Sequence, residues 1–225
     1  MKKFWIIFFI FIIVLGAILI FALVSSNQKF IAKSYVAEGE ISAIIVNVAD
    51  RDVEVSQSAD DKIHIDFYES EKEYYNISVS ENNELVLSLE QNKSFLDYFG
   101  TKPSKTYRKI YLQVPKGILQ NIEITTTNER IALNNVSVNG NISLISNGGN
   151  IDFNSLSAGK EVKLSTKNGN INGSIVGKWD DFTISCTVKK GECNLPSYKD
   201  GGDKTLTAEC NNGNINIEFE NIMTS

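Results

Sequence analysis

The sequence predicts an all-β chain wound as a single-stranded β-helix, or solenoid, with coils of about 20 residues, preceded by one N-terminal transmembrane helix. Three observations predict it. The chain opens on an uncharged apolar run over residues 4–24. Period-2 alternation of β-branched residues follows, with almost no helical periodicity. In the C-terminal half, apolar residues then recur at a fixed spacing of 20 through Ile124, Leu144, Leu164 and Ile184, with Leu206 after 22 more.

The apolar run comes first. At 1.5 Å per residue its helix covers roughly 31 Å, the thickness of a bilayer's hydrocarbon layer. Lys2 and Lys3 precede it and favour a cytoplasmic N-terminus, although Lys29 and Lys33 on the far side weaken that bias. Residues 1–26 are therefore expected to form a cytoplasmic tip and anchor, residues 27–40 a linker, and the rest an extracytoplasmic domain. A cleaved signal sequence, with a cut near Val24-Ser25-Ser26 and a secreted product, is the alternative. Signal h-regions, at about 7–15 residues, are shorter than this run.

Charge narrows the function classes. The chain carries 22 basic and 27 acidic residues, and without Lys2 and Lys3 the net charge is −7. That balance excludes a nucleic-acid binder, which needs a clustered basic surface, and a chain held to anionic lipid by charge alone. Three cysteines and one histidine are too few for a disulfide scaffold or a conventional zinc site.

The domain itself is expected over residues 41–222. Residues 41–89 alternate apolar and polar side chains between Asn, Asp, Gly and Ser turns, and read as early, degenerate coils. Residues 91–109 fit no strand period and form an inserted loop. Within it Ser94 and Asp97 make a small capping box, with Gly100 and Pro103 closing the turn. In the repeats, Ile131, Ile151 and Ile171 follow the first three periodic residues by seven, and Cys193 and Ile215 follow the last two by nine. Gly149, Gly169, Gly191 and Gly213 sit two residues before that second position, as corners where the backbone is expected to need φ > 0. Glu129 takes the glycine's place in the first copy. Ile124, Leu144, Leu164, Ile184 and Leu206 are expected to stack as one inward column at the strand spacing. Asn-Gly hairpins in an ordinary β-sandwich are the alternative.

The stretch Tyr111-Leu112-Gln113-Val114-Pro115-Lys116-Gly117, then Ile122-Glu123-Ile124-Thr125-Thr126-Thr127-Asn128 and the Asn-Gly-Asn-Ile repeats, resembles the bacterial putative adhesin domain, a family of unknown function. The resemblance covers residues 41–222. It implies a β-solenoid on the cell envelope with no enzymatic activity and no catalytic residues to carry over.

The candidate chemistry is sparse. His64 lies between Ile63 and Ile65, where alternation turns it to solvent, near Asp60, Asp61 and Asp66. No nucleophile elbow, zinc-protease or phosphate-loop motif is present. Asp50 with Asp52, Asp60 with Asp61, and Asp180 with Asp181 read as turn residues, because consecutive strand residues face opposite ways. No cofactor or metal is expected. Cys186, Cys193 and Cys210 replace apolar core residues and are expected as stacked thiols, with a Cys186–Cys193 disulfide as the alternative. Phe95, Tyr98, Phe99, Lys102, Lys105 and Arg108 mix aromatic and basic character, and read either as a cover for an open sheet edge or as a contact for an envelope polymer, peptide or lipid headgroup. A non-enzymatic binding or scaffolding domain on a bacterial membrane is the leading expectation. An envelope-stress sensor acting through a partner, or a polysaccharide-active enzyme, are the alternatives.

Overall fold

The computed structural model describes residues 2–25, 28–95, 97 and 102–220. The apolar run is a helix, α1 (Lys2–Ser25). Its side chains are described over residues 4–19 and have little protein cover, with Trp5 65 % and Phe9 67 % exposed. Among the described residues, no helix is long and apolar enough to cross a membrane. At 1.5 Å per residue, residues 4–19 cover only about 24 Å, while the span expected from the sequence runs on to Val24.

Everything after α1 is β. The N-terminal part contributes β1 (Ile31–Val36), β2 (Ala43–Asn47), β3 (Asp52–Gln57), β4 (His64–Glu69), β5 (Glu73–Val79), β6 (Glu84–Gln91) and β7 (Lys109–Val114). The middle contributes β8 (Asn121–Thr126), β9 (Ile131–Asn134), β10 (Ser137–Val138), β11 (Asn141–Ser146), β12 (Ile151–Ala158), β13 (Glu161–Thr166) and β14 (Ile171–Val176). The C-terminal part adds β15 (Phe182–Lys190), β16 (Tyr198–Lys199), β17 (Lys204–Asn212) and β18 (Ile215–Glu220). These form two nine-stranded sheets, ordered β1-β4-β7-β3-β9-β12-β14-β18, with β10 beside β12, and β16-β15-β17-β13-β11-β8-β2-β6-β5. One core lies between them, because alternate residues of both sheets point inward.

Chain order matches spatial order only from β8 to β14. At the N-terminal end β2 and β3 form first, yet β6 and β7 pair outside them while β8 and β9 dock on their other side. At the C-terminal end β15 forms before β17 and lies outside it. Strands β1, β4, β5 and β16 pair antiparallel at the ends. The expected solenoid, advancing one coil at a time, is therefore corrected to a stack whose ends are laid out of order. Residues 27–40 also differ from the expected linker. They contain β1, which is largely exposed on both faces and so shows no alternation to read.

This order splits the expected core column. Ile124, Leu144 and Leu164 are in register and fully buried. Leu164, however, pairs with Ala208, and Ala208 with Cys186. Leu206 lies between Val162 and Ile184, one column over, in line with Ile122 and Ile142. Both β15 and β17 are thus shifted by two residues from the expected register, and β17 lies between β13 and β15, out of chain order. The second-strand column is as the spacing predicts, running Val53, Ile131, Ile151, Ile171, Ile215 and Cys193. Full burial of each such side chain contributes about 1.5–3 kcal/mol.

The corners need glycine for a different reason than expected. A Cβ on Gly149 would lie 1.9 Å from the Glu129 carbonyl oxygen, and one on Gly169 would lie 2.2 Å from that of Gly149. Gly213 stands in the same relation to Gly169, and Gly191 to Gly213. Corner packs on corner with no room for a side chain. Gly191 and Gly213 also adopt positive φ, at 139° and 149°, but Gly149 and Gly169 do not, which corrects the conformational argument for those two. Three residues before the corner positions 129, 149, 169 and 213 sits a buried side chain that can donate a hydrogen bond, Thr126, Ser146, Thr166 or Cys210, while Val188 holds that place before Gly191. Each donates to a carbonyl one coil away, Thr126 to Arg51, Ser146 to Glu129, Thr166 to Gly149 and Cys210 to Gly169. Buried carbonyls that the close packing would otherwise orphan are thus satisfied.

Cys186 and Cys193 are joined in a disulfide and Cys210 is the buried free thiol, which corrects the expected stack of three thiols. Cys186 ends the first-strand column and Cys193 the second, so in the last coil the two meet across its interior.

Candidate functional site

The edge opposite the glycine corners carries a groove of about 960 Å³. It forms where turns from four parts of the chain converge. The β1–β2 connection bends at Gly39 (φ 81°), the β5–β6 turn at Asn83 (φ 59°), and the turn after β7 at Gly117 (φ 65°). Backbone bonds tie them together: Ala37 N–H donates to Ile63 O at 3.0 Å, Ser42 N–H to Asn83 O at 2.8 Å and Gln120 N–H to Ser42 O at 2.7 Å. The floor is apolar, from Ala37, Ile41 and Ile63, while Val36 and Ile118 stay exposed on the rim. Glu38, Glu40 and Asp61 outnumber Lys62 in the lining. The groove can therefore seat an extended ligand with apolar and positively charged groups.

His64 stands beside the groove, and its Nε2 lies 2.8 Å from Asp60 Oδ1. That bond, with the Lys62 backbone N–H, holds the Asp60 carboxyl below its ordinary value. Among the described residues no group of three His, Cys, Asp or Glu side chains could hold a metal ion.

The inserted loop lies at the other edge. Half of the expected capping box forms: Ser94 N–H and Oγ both donate to Asp97 Oδ2 at 2.8 Å, while the Asp97 N–H donates to the Ser94 carbonyl rather than to its hydroxyl. Phe95 is 76 % exposed, whereas Tyr98 and Phe99 lie outside the described residues. The basic residues separate by role. Arg108 is buried, donates from Nε to Pro103 O at 2.9 Å and pairs with Glu129, the residue standing in the first glycine position. Lys102 Nζ lies 3.2 Å from Asp50 Oδ2, and Lys105 is exposed. Lys72–Asp97 and Lys93–Glu73 add two further ties. Beneath them Arg51 and Glu73 form a buried ion pair at 2.8 Å, and Arg51 Nε donates to Tyr75 Oη at 2.7 Å. Desolvation holds the Tyr75 phenol above its ordinary value, against the pull of Arg51.

Reading the sequence found the insertion but missed both the groove and the Arg51–Glu73 pair. The groove's residues sit in turns far apart in sequence and share no spacing. Arg51 could have been noticed as a charge next to the corner of a repeat whose other copies carry Glu129 or glycine.

The fold and groove define a class: a two-sheet stack of parallel coils with its concavity on one edge. The chain belongs to the Toastrack DUF4097 family, whose profile matches residues 41–225. Its fold is similar to that of a putative cell adhesion protein from Clostridium sporogenes, with a TM-score of 0.64 at 14 % identity, covering 85 % of this chain and 100 % of that one. A putative adhesin from Bacteroides fragilis aligns over 85 % of this chain and 97 % of its own, at 17 % identity and a TM-score of 0.42. No curated protein matches the chain.

Proposed function

We propose that this chain is a non-enzymatic, extracytoplasmic binding domain, held to a bacterial membrane by α1, that presents its 960 Å³ groove outward to an extended, partly cationic ligand of the envelope or its surroundings. The observation that carries the reading is the placement of the groove. Gln28, close after α1, accepts a hydrogen bond from Ser70 Oγ at the β4–β5 turn, whereas the groove lies at the other end of the same strands. Strands of six residues put about 20 Å between the two edges. Three further features support it. Large apolar side chains along α1 have little protein cover, and each favours an apolar environment by about 1.5–3 kcal/mol. The Cys186–Cys193 disulfide suits an oxidising compartment. The fold is similar to that of a structure described as a putative cell adhesion protein.

The test uses the full chain in detergent and isolated envelope fractions. Ile118→Asp and Glu38→Lys change exposed rim residues, so both variants should keep the wild-type unfolding midpoint while binding falls about tenfold or more. Wild-type binding by both variants would show that the groove is not the site.

A further inference from the structure

We infer that the edge of the domain carrying the inserted loop lies against the membrane that holds α1, with Phe95, Ile31 and Tyr107 entering the interfacial layer and Lys29 and Lys105 meeting anionic lipid headgroups. This rests on the anchor reading above. The first argument is tether length. Four residues separate Ser25 from Phe30, which is five Cα–Cα steps, so Phe30 stands within at most ~18 Å of the helix end. Phe30 is not loose on that tether. Its ring stacks on Tyr107 with centroids 4.8 Å apart, and Tyr68 meets Tyr107 edge-on at 5.4 Å. Tyr107 belongs to the short 3-10 turn Lys105–Arg108 that ends the insertion, so this contact fixes the insertion close to the point where the chain leaves α1.

The second argument is surface chemistry. Phe95 is 76 % and Ile31 54 % exposed, and Tyr107 keeps 38 % of its surface open. Aromatic rings with lysines beside them are the side chains that settle at a membrane interface. Around them the other cations are already matched, Lys72 to Asp97, Lys93 to Glu73, Lys102 to Asp50 and Arg108 to Glu129. Lys29 and Lys105 are exposed, and among the described residues no ion pair engages them. Glu71 on the β4–β5 turn and Glu90 near the end of β6 are exposed as well, so the attraction to an anionic surface is local to Lys29 and Lys105 rather than a net charge of the edge. An anionic leaflet is the partner that fits.

The experiment reads depth by tryptophan quenching, using the full chain reconstituted into vesicles that contain phosphatidylcholine brominated at the 6,7 acyl positions. One variant, Trp179→Phe, leaves Trp5 as the reporter of the anchor. A second, Trp5→Phe with Trp179→Phe and Phe95→Trp, reports the insertion. With about a third of the lipid as phosphatidylglycerol, both reporters should lose about half of their emission or more, as expected for rings at the interface. Quenching of the Trp5 reporter without quenching of the Phe95→Trp indole would overturn the docking while leaving the anchor intact. Quenching of neither would remove the anchor reading and the docking with it. Insertion quenching as strong in pure phosphatidylcholine as in the anionic mixture would overturn the assignment to anionic headgroups.

Discussion

The middle coils and the two ends of this domain use the same strands but different logic. From β8 to β14 each coil lies on the one before it, glycine packs on glycine at the corners, and the residues between are small or polar. At the N-terminal end the glycine positions give way to Glu129 and Arg51, and the ladder of bare corners ends in charge. There the insertion crosses the corner and is tied down by Arg108–Glu129, Lys102–Asp50 and Lys93–Glu73, the last reaching the buried Arg51–Glu73 pair. At the C-terminal end the last coil is closed by a disulfide, and the Asn194 side chain both donates to Ile217 O at 2.9 Å and accepts from Ile217 N at 3.0 Å, pairing with β18 as a strand backbone would. A middle coil is stabilised by its neighbours on both sides. An end coil has one neighbour and needs side-chain devices in place of the other, because an open edge invites pairing with another chain.

The largest effect is expected where such a device is most buried. Arg51 is 1 % exposed and holds Glu73, Tyr75 and the carbonyls of Ala49 and Asp50. Arg51→Ala leaves the Glu73 carboxylate buried beside Lys93 alone and should lower stability in chemical denaturation by about 3–5 kcal/mol. Arg51→Met combined with Glu73→Met removes both charges and should recover most of that loss. A single variant within 1 kcal/mol of wild type would mean that the end of the stack does not depend on this pair.

A smaller effect separates the middle coils from the out-of-order rung at the C-terminal end. Thr166 Oγ1 donates to Gly149 O at 3.0 Å, whereas in the wedged strand β17 the same place is held by Cys210, whose Sγ donates to Gly169 O at 3.2 Å. Thr166→Val keeps the shape and orphans a buried carbonyl, at a cost of about 1–3 kcal/mol. Cys210→Ser puts a stronger donor in the weaker place and should be neutral or stabilising. Equal destabilisation by both would show that packing volume, not the hydrogen bond, governs this column.

How much was legible follows from the same contrast. The period of 20 is readable where chain neighbours are spatial neighbours, so Ile124, Leu144 and Leu164 were placed correctly. Ile184 and Leu206 were assigned to the wrong column because the register moves by two residues where Leu164 pairs with Ala208, and nothing in the spacing announces that shift or the return of β17 between β13 and β15. The Thr126, Ser146, Thr166 and Cys210 column was present in the sequence as an offset of three before four of the five corner positions, with Val188 before Gly191 as the exception, and only its purpose required the structure. The insertion stood out by breaking the period, whereas the groove is assembled from turns whose residues have no common pattern.

The smallest expected effect lies inside a single corner, where Asp50 and Asp52 have opposite environments. Burial pushes the Asp50 carboxyl up, but hydrogen bonds from Asn128, Lys102 and Thr127 outweigh it and leave the group below its ordinary value of 3.8. Burial raises Asp52 above that value, against Arg130 and Lys109, and its Oδ1 has no hydrogen-bond partner among the described residues. The signs then differ. A depressed carboxyl stabilises the fold when ionised, so the Asp50 contribution is complete above pH 3.8 and is lost as the pH falls through its folded-state value. A raised carboxyl disfavours the fold when ionised, so the Asp52 cost is present at neutral pH and fades as the pH falls through its folded-state value toward 3.8. Asn is the substitution of choice at both sites, since Asp50 holds φ at 54°, a conformation that Asn tolerates. At neutral pH, Asp50→Asn should lower the unfolding midpoint and Asp52→Asn should hold or raise it. On acidification Asp52→Asn should converge on wild type first, once the pH is below 3.8, and Asp50→Asn only as the pH falls further through the depressed folded-state value of Asp50. If Asp52→Asn is the more destabilising of the two at neutral pH, Arg130 at 3.6 Å outweighs the burial of Asp52, and the contrast within the corner disappears.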